Sequence, residues 1–242
     1  MSSALSWNLI EREGRPSALF DIGWFESAGA QRTIVHLHPT GPAVVLGSSQ
    51  HESIVDVAAA SRLGAEVVRR RSGGGAVWLD HTLDWFDVVL PVGDPLAEAD
   101  VQKAFHWLGE VFAETLRAVG VGADPGTEVR VHRGALARDP LNNVVCFAGL
   151  GPGEVTLGGR KIVGISQRRT RNYTLFQCGV LREWSPSPLV ELLRPGLVAA
   201  GLTGTGSRAS EQLASVLADR CVGVGVAGPR VVAGLIERLR CI

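Results

Sequence analysis

Neither sign of charge predominates in this sequence, with 24 Lys and Arg against 24 Asp and Glu. The balance removes the overall field that would draw a chain to nucleic acid or to an anionic membrane, so any partner must be recognised locally. Long apolar runs are missing as well: no stretch approaches the roughly 18 unbroken apolar residues of a membrane span. The start Met-Ser-Ser-Ala-Leu-Ser-Trp lacks the basic and apolar regions of a secretory signal, and a cytoplasmic location is expected. Cysteine is sparse. Cys146, Cys178, Cys221 and Cys241 form no CxxC pair and neighbour no histidine cluster, which argues against a zinc site or a disulfide framework and leaves free thiols as the expectation. His36, His38, His51, His81, His106 and His132 have no carboxylate or cysteine partner at ligand spacing. His36 and His38 would share one face of a strand, but two ligands do not make a site, so no metal is expected.

What is present suits a well-packed globular chain, because 45% of the 242 residues are hydrophobic and 20% are charged. Short apolar runs predict strands at 43–47, 66–70, 85–91, 143–147 and 174–181, and the glycine triplet of 72–79 opens into another. The span 154–167 reads as a hairpin turning at Gly158-Gly159. His51 to Leu63 reads as helical. A longer helix is predicted with Asp94 as cap, Pro95 in its first turn, apolar residues from Val101 to Val119 at three- and four-residue spacing, and Gly120 as its stop. Beyond Pro186 the pattern is helical over 189–193, 211–222 and 230–239. Hairpins mixed with helices predict an α+β fold with mixed β-sheets rather than a doubly wound one.

The first segment with chemical content is Arg69-Arg-Arg-Ser-Gly-Gly-Gly-Ala-Val77. Glycines without Cβ atoms let backbone N–H groups approach a ligand, and the adjacent guanidiniums supply positive charge. It is not a Walker loop, since no Gly-Lys-Ser/Thr ending follows. It resembles the signature of lipoate protein ligases and octanoyltransferases, and Pro42-Ala-Val-Val-Leu-Gly-Ser-Ser-Gln50 upstream is similar to that family's Pro-x-x-x-x-Gly-x-x-Gln strand end. The resemblance implies a biotin-ligase-like, class II aminoacyl-tRNA synthetase-like catalytic domain over 1–242, with a helical part from about 186 packed on it. It also implies that Arg70, Ser72, Gly73, Gly74, Gly75 and Ala76 contact the acyl donor.

Gly159-Arg-Lys-Ile-Val-Gly-Ile-Ser-Gln167 resembles the family's Gly-x-Lys-Ile-x-Gly-x-x-Gln pattern, which implies a catalytic Lys161 with Gly164 and Gln167 beside it. An ammonium there would stabilise an oxyanion or, if desolvated enough to lose its proton, act as a base. Cys146, in Val145-Cys-Phe147, stands where the octanoyltransferases of this superfamily carry an acyl-accepting cysteine. A thiolate near an ammonium is a good nucleophile for a carrier thioester. The resemblance therefore implies octanoyl or lipoyl transfer from acyl carrier protein, through Cys146, to a lysine of a lipoyl domain or glycine-cleavage H-type protein. No cofactor, nucleic acid or membrane takes part in that route. The alternatives are an ATP- and Mg-dependent lipoate ligase, or a relative that binds acyl ligands without turnover.

Two departures from the family pattern stand out. Gln177-Cys178-Gly179-Val180 replaces the usual His-Gly-Ser/Thr, so Cys178 either approaches Cys146 or fills core. His81-Thr-Leu-Asp-Trp-Phe-Asp87 replaces an Asn-rich run, with His81 beside Asp80 at a turn. Arg168-Arg-Thr-Arg171 forms a small basic loop suited to an acidic carrier surface.

Overall fold

The two apolar runs Leu83–Pro91 (β6) and Tyr173–Leu181 (β10) pair antiparallel in the middle of a seven-stranded sheet. In the computed structural model, which describes residues 6–21, 31–137, 139–204, 206–226 and 228–242, both strands are buried along almost their whole length. A strand covered on both faces needs no polar alternation, which is why these segments read as continuous apolar runs. Residues 1–5, on which the reading of the N-terminus rests, lie outside the described residues.

The other strands of this sheet are Asn8–Gly14 (β1), Thr33–Pro39 (β2), Val129–Val131 (β7), Val155–Leu157 (β8) and Arg160–Arg169 (β9), in the order β1-β2-β6-β10-β9-β8-β7. A second, three-stranded sheet is formed by Ala43–Leu46 (β3), Glu66–Arg69 (β4) and Val77–Leu79 (β5), in the order β4-β3-β5. The helices are Pro16–Leu19 (α1), Val57–Arg62 (α2), Ala104–Ala118 (α3), Ser187–Leu192 (α4), Arg194–Ala199 (α5), Ser207–Arg220 (α6) and Gly228–Leu239 (α7). This is the α+β arrangement of mixed sheets and helices. Among the described residues no helix is long and apolar enough to cross a membrane.

Three apolar layers hold these elements together. Phe86 and Val88 of β6 and Phe176 of β10 pack against Phe112 and Leu116 of α3 and Leu235 of α7. On the opposite face of the large sheet, Val35, Leu37 and Trp85 meet Val45, Val77 and Leu79 of the small sheet. The outer face of the small sheet, through Val44 and Leu46, is covered by Ala59, Leu189, Leu197 and Leu217 from α2 and α4 to α6. The C-terminal helical part is thus shared between two faces, α7 on one and α4 to α6 on the other.

Several sequence expectations meet a different local structure. The long helix begins at Ala104, not at Asp94. The Asp94 carboxylate is buried in a bidentate pair with Arg32, with Nε to Oδ2 at 2.8 Å and Nη2 to Oδ1 at 3.2 Å. Asp100 instead receives the amides of Gln102 and Lys103 at the helix entry, at 2.9 and 3.3 Å. The 51–63 segment is a 3₁₀ turn over Glu52–Ile54 followed by α2, which Asp56 caps through the Ala59 amide. The predicted strand over 143–147 is two 3₁₀ turns, Pro140–Asn143 and Cys146–Ala148, with one bridge between Ala76 and Val145. The hairpin turns at Gly158-Gly159 as expected: both glycines have positive φ, 56° and 84°, as a two-residue turn of the primed kind requires.

Candidate active site

Close backbone approach fixes the path of the glycine triplet. A Cβ on Gly75 would lie 2.5 Å from both the Cys146 nitrogen and the Val145 carbonyl carbon, and one on Gly47 would lie 1.9 Å from the Gly74 oxygen. Without those atoms, three backbone segments touch. The Ala76 amide donates to Val144 O at 2.8 Å, and the Cys146 amide donates to Ala76 O at 3.0 Å. Gln50 adds a clamp, accepting from the Gly47 amide at 2.9 Å while its Nε2 donates to Asn143 O at 2.8 Å. The Pro42-to-Gln50 motif therefore ties the small sheet to the segment that carries Cys146.

The other side of the glycine loop rests on hydrogen bonds to Gln177 and from Arg70. Gln177 Oε1 accepts from the amides of Arg71 and Ser72, both at 3.0 Å, and from Ser72 Oγ at 2.8 Å. Its Nε2 donates to Asp87 Oδ1 at 3.2 Å, and Trp85 Nε1 donates to the same oxygen at 2.9 Å. Asp87 is buried, and the cost of desolvating a carboxylate pushes its pKa up to about 7 against the pull of those two donors. Arg70 is also buried, with Nη2 donating to Gly73 O at 2.7 Å. Burial lowers its pKa while the neighbouring Cys146 and Glu154 raise it, and an arginine keeps its proton through such shifts. It lies behind the loop as a fixed cation facing the Cys146 thiol. Among the described residues, no backbone acceptor takes the amides of Gly73, Gly74 or Gly75.

Lys161, one of only two lysines in the chain, is 3% exposed. Its Nζ donates to Cys146 O at 3.2 Å and Gly149 O at 2.9 Å, and pairs with Glu154 Oε1 at 2.7 Å. The three contacts use all three ammonium protons. Glu154 is held in turn by the amides of Gly151 at 2.7 Å and Ile165 at 3.2 Å. Burial alone would lower the pKa of Lys161, but Glu154 and Cys146 outweigh it and the net shift is upward. The upward shift and the Glu154 pair favour the ammonium form over the neutral amine that a base would need. Phe147 lies under this ammonium with its ring centroid 5.0 Å away. Gly164 and Gly179, paired across β9 and β10, leave room for that ring: their added Cβ atoms would come within 3.3 and 3.4 Å of it. Cys221, absent from the sequence expectations for the site, donates its thiol to Phe147 O at 3.0 Å, and burial pushes it up to about 12.

These elements enclose a cavity of about 480 Å³. The half-buried Cys146 opens onto it with Gly73, Gly74, Gly75, Lys161 and Gln167, while Phe105, Leu136 and Ile165 supply apolar wall. Gln167 Nε2 is buried there without a hydrogen-bond partner among the described residues. Arg70, Ser72, Ala76 and Gly164 do not line the cavity; they support the residues that do. Cys178 is buried in the core opposite Phe86, where burial pushes it well above the ordinary thiol range, so of its two expected roles it fills core. His81 is an exposed turn residue whose ring lies 3.8 Å from Asp80, away from the cavity. Arg168 of the basic loop donates to Arg71 O at 3.2 Å, and with Arg71 it borders a separate groove beside the glycine loop. Glu154, Asp87, Gln177 and Cys221 were not among the expected site residues. A glutamate seven positions before a hairpin lysine was the one available signal.

A family model described as the lipoyl protein ligase A/B catalytic domain matches residues 24–210, more than half of the chain. Curated relatives include the octanoyltransferase LipM of Kyrpidia tusciae, 27% identical over 78% of this chain and 70% of that one. The octanoyltransferase LipM of Moorella thermoacetica is 28% identical over 81% and 67%. Among solved structures, the bi-partite lipoate protein ligase of Thermoplasma acidophilum, described with its E2 lipoyl domain, shares the fold at a TM-score of 0.71 and 17% identity, over 97% of this chain and 82% of that one. A lipoate-protein ligase A bound with ATP shares it at 0.70 and 18%, over 96% and 83%. The glycine loop, the hairpin lysine and the turn cysteine thus sit within a matched sequence region and a matched fold: the chain belongs to the lipoyl protein ligase A/B catalytic domain family.

Proposed function

We propose that this chain is an octanoyltransferase that moves an octanoyl or lipoyl group from an acyl-carrier thioester through Cys146 to a lysine of a lipoyl or glycine-cleavage H-type domain. One observation carries the reading: the half-buried Cys146 thiol opens onto an apolar-walled cavity that Gly73, Gly74 and Gly75 also line, with Arg70 behind them. The curated relatives are named octanoyltransferases, and the Thermoplasma ligase is described with a lipoyl domain; both support the choice of reaction and acceptor.

On this route the Cys146 thiolate attacks the thioester carbonyl. Negative charge on the carbonyl oxygen is met by the free amides of Gly73 to Gly75 and by the fixed charge of Arg70, donors that need no reorganisation. Collapse expels the carrier thiolate, which takes up the proton Cys146 gave. The acceptor lysine, as a neutral amine, then attacks the enzyme thioester. An amide forms, and the surplus proton returns to Cys146 as it leaves. Lys161, its protons spent on Cys146 O, Gly149 O and Glu154, holds the cysteine turn and contributes charge. No ATP is needed, because the thioester already carries the activation.

Incubation with octanoyl-acyl carrier protein without ATP should add one hydroxylamine-labile octanoyl group to the protein and none to Cys146→Ser, read by intact mass. An adduct appearing only with ATP and free octanoate would make the chain a ligase. Ligand binding with no covalent or transferred product under either condition would make it a binding protein.

A further inference from the structure

The geometry points to a divalent-metal site, distinct from the acyl cavity, in which Glu11, His36 and His38 bind zinc or a similar borderline cation at the edge of the large sheet. Glu11 on β1 is in register with His36 on β2, and His38, two residues further, projects to the same face. The donor atoms of the three lie within 4.8 Å of one another. Glu11 Oε2 is 3.0 Å from His36 Nδ1 and 2.6 Å from His38 Nε2. Tetrahedral zinc, about 2.0–2.2 Å from each ligand, needs donors roughly 3.4 Å apart, so Glu11 must move back from both rings and the side chains must adjust to seat the ion. Glu11 and His38 have that freedom, with side chains 47% and 46% exposed.

His36 has much less freedom and is oriented for the task. Its ring stacks on Phe86 at 4.7 Å and 13°, inside the layer between the large sheet and α3. One nitrogen faces Glu11 and the other lies 3.8 Å from Asp84 Oδ1. Asp84 Oδ2 is buried with no hydrogen-bond partner among the described residues. A carboxylate behind the far nitrogen of a histidine is the usual outer support of a metal-ligating imidazole. A carboxylate only accepts, so each ring nitrogen facing Glu11 now carries a hydrogen. To ligate, each neutral imidazole turns the lone pair of that nitrogen to the cation and carries its single hydrogen on the other nitrogen, a tautomer shift that releases no proton; in His36 the far nitrogen lies 3.8 Å from Asp84 Oδ1. Two imidazoles and one carboxylate suit zinc, cobalt or nickel better than calcium or magnesium. None of the three lines the acyl cavity, so the site is independent of the role given to Cys146. A bound ion would pin the charged edge strand β1 to its neighbour.

Titration of the full chain with Co²⁺ and Zn²⁺ tests this, with affinity read by calorimetry, ligand type by the cobalt spectrum and stability by Tm. Expected are one ion per chain, a visible d–d band without thiolate charge transfer, and a zinc-dependent rise in Tm. His38→Ala and Glu11→Gln, both at exposed side chains, should each weaken binding at least ten-fold, while His81→Ala binds as the parent does. The proposal is overturned by no binding to the parent chain, by unchanged affinity in His38→Ala and Glu11→Gln, or by a thiolate spectrum pointing to Cys146 or Cys241.

Discussion

The two walls of the cavity at Cys146 are held by opposite means. The wall carrying Cys146 is anchored by a buried ion pair, Lys161 with Glu154, and by carbonyls turned toward that ammonium. The glycine-loop wall is anchored mainly by Gln177, an uncharged side chain that takes three hydrogen bonds from the loop and gives one to Asp87. A buried ion pair is costly to break from one side, because the remaining charge is left without compensation. A neutral network loses less when one member goes, but it is sensitive to the protonation of the acid at its end. Loss of one partner should therefore cost more at the cysteine wall, while the loop wall ends on a carboxyl whose pKa burial raises to about 7.

The largest expected effect comes from breaking the ion pair. Lys161→Ala strands the Glu154 carboxylate and should destabilise the fold by about 3–5 kcal/mol, measured by denaturant unfolding. Lys161→Ala with Glu154→Ala should recover part of that loss; equal stability of the single and double variants would mean that the pair does not anchor this wall. Next is Gly75→Ala, whose Cβ would meet the backbone of Val145 and Cys146 at 2.5 Å. The two walls must part, and transfer should fall by about 10²-fold, as for an ångström-scale misplacement of reacting groups, with only about 1–3 kcal/mol of stability lost. A loss of stability without a loss of rate would separate the glycine loop from the chemistry.

A smaller effect is expected at Asp87. Its folded pKa, raised by burial to about 7, favours the protonated fold. The stability it contributes is full below its unfolded pKa and is lost as pH rises toward and through about 7, with a slope of at most about 1.4 kcal/mol per pH unit. Asp87→Asn should therefore gain stability relative to the parent as pH goes from 4 to 7, seen in Tm across that range. A difference that does not vary with pH would mean the carboxyl stays ionised. The smallest effect belongs to the exposed basic loop. Neutralising Arg168, Arg169 and Arg171 should slow carrier capture several-fold at low salt and little at high salt; an unchanged low-salt rate would remove the loop from docking.

Much of this was legible in the sequence because it is encoded locally. The central strands show as apolar runs, the hairpin as Gly158-Gly159, and the candidate site as motifs around Gly73 to Gly75, Cys146 and Lys161. The errors share a cause. Asp94 looks like a helix cap until Arg32, 62 positions earlier, takes its carboxylate. The 143–147 run looks like a strand, but Lys161 and Cys221 draw its carbonyls out of any ladder. The Glu11 carboxylate beside His36 and His38 was likewise out of view, because it comes from the neighbouring strand. Gln177, seen only as part of a departure from the family pattern, became the anchor of the glycine loop once β10 was placed beneath it.

The sequence by itself determined which segments form strands and helices and which residue types the chemistry has available, since hydrophobic period and glycine placement act over a few neighbours. Only the tertiary structure decided the burial and partners that shift Lys161 and Asp87, the core position of Cys178 and the meeting of Glu11 with two histidines. Burial and charge pairing act through space, between residues that the chain order keeps tens of positions apart.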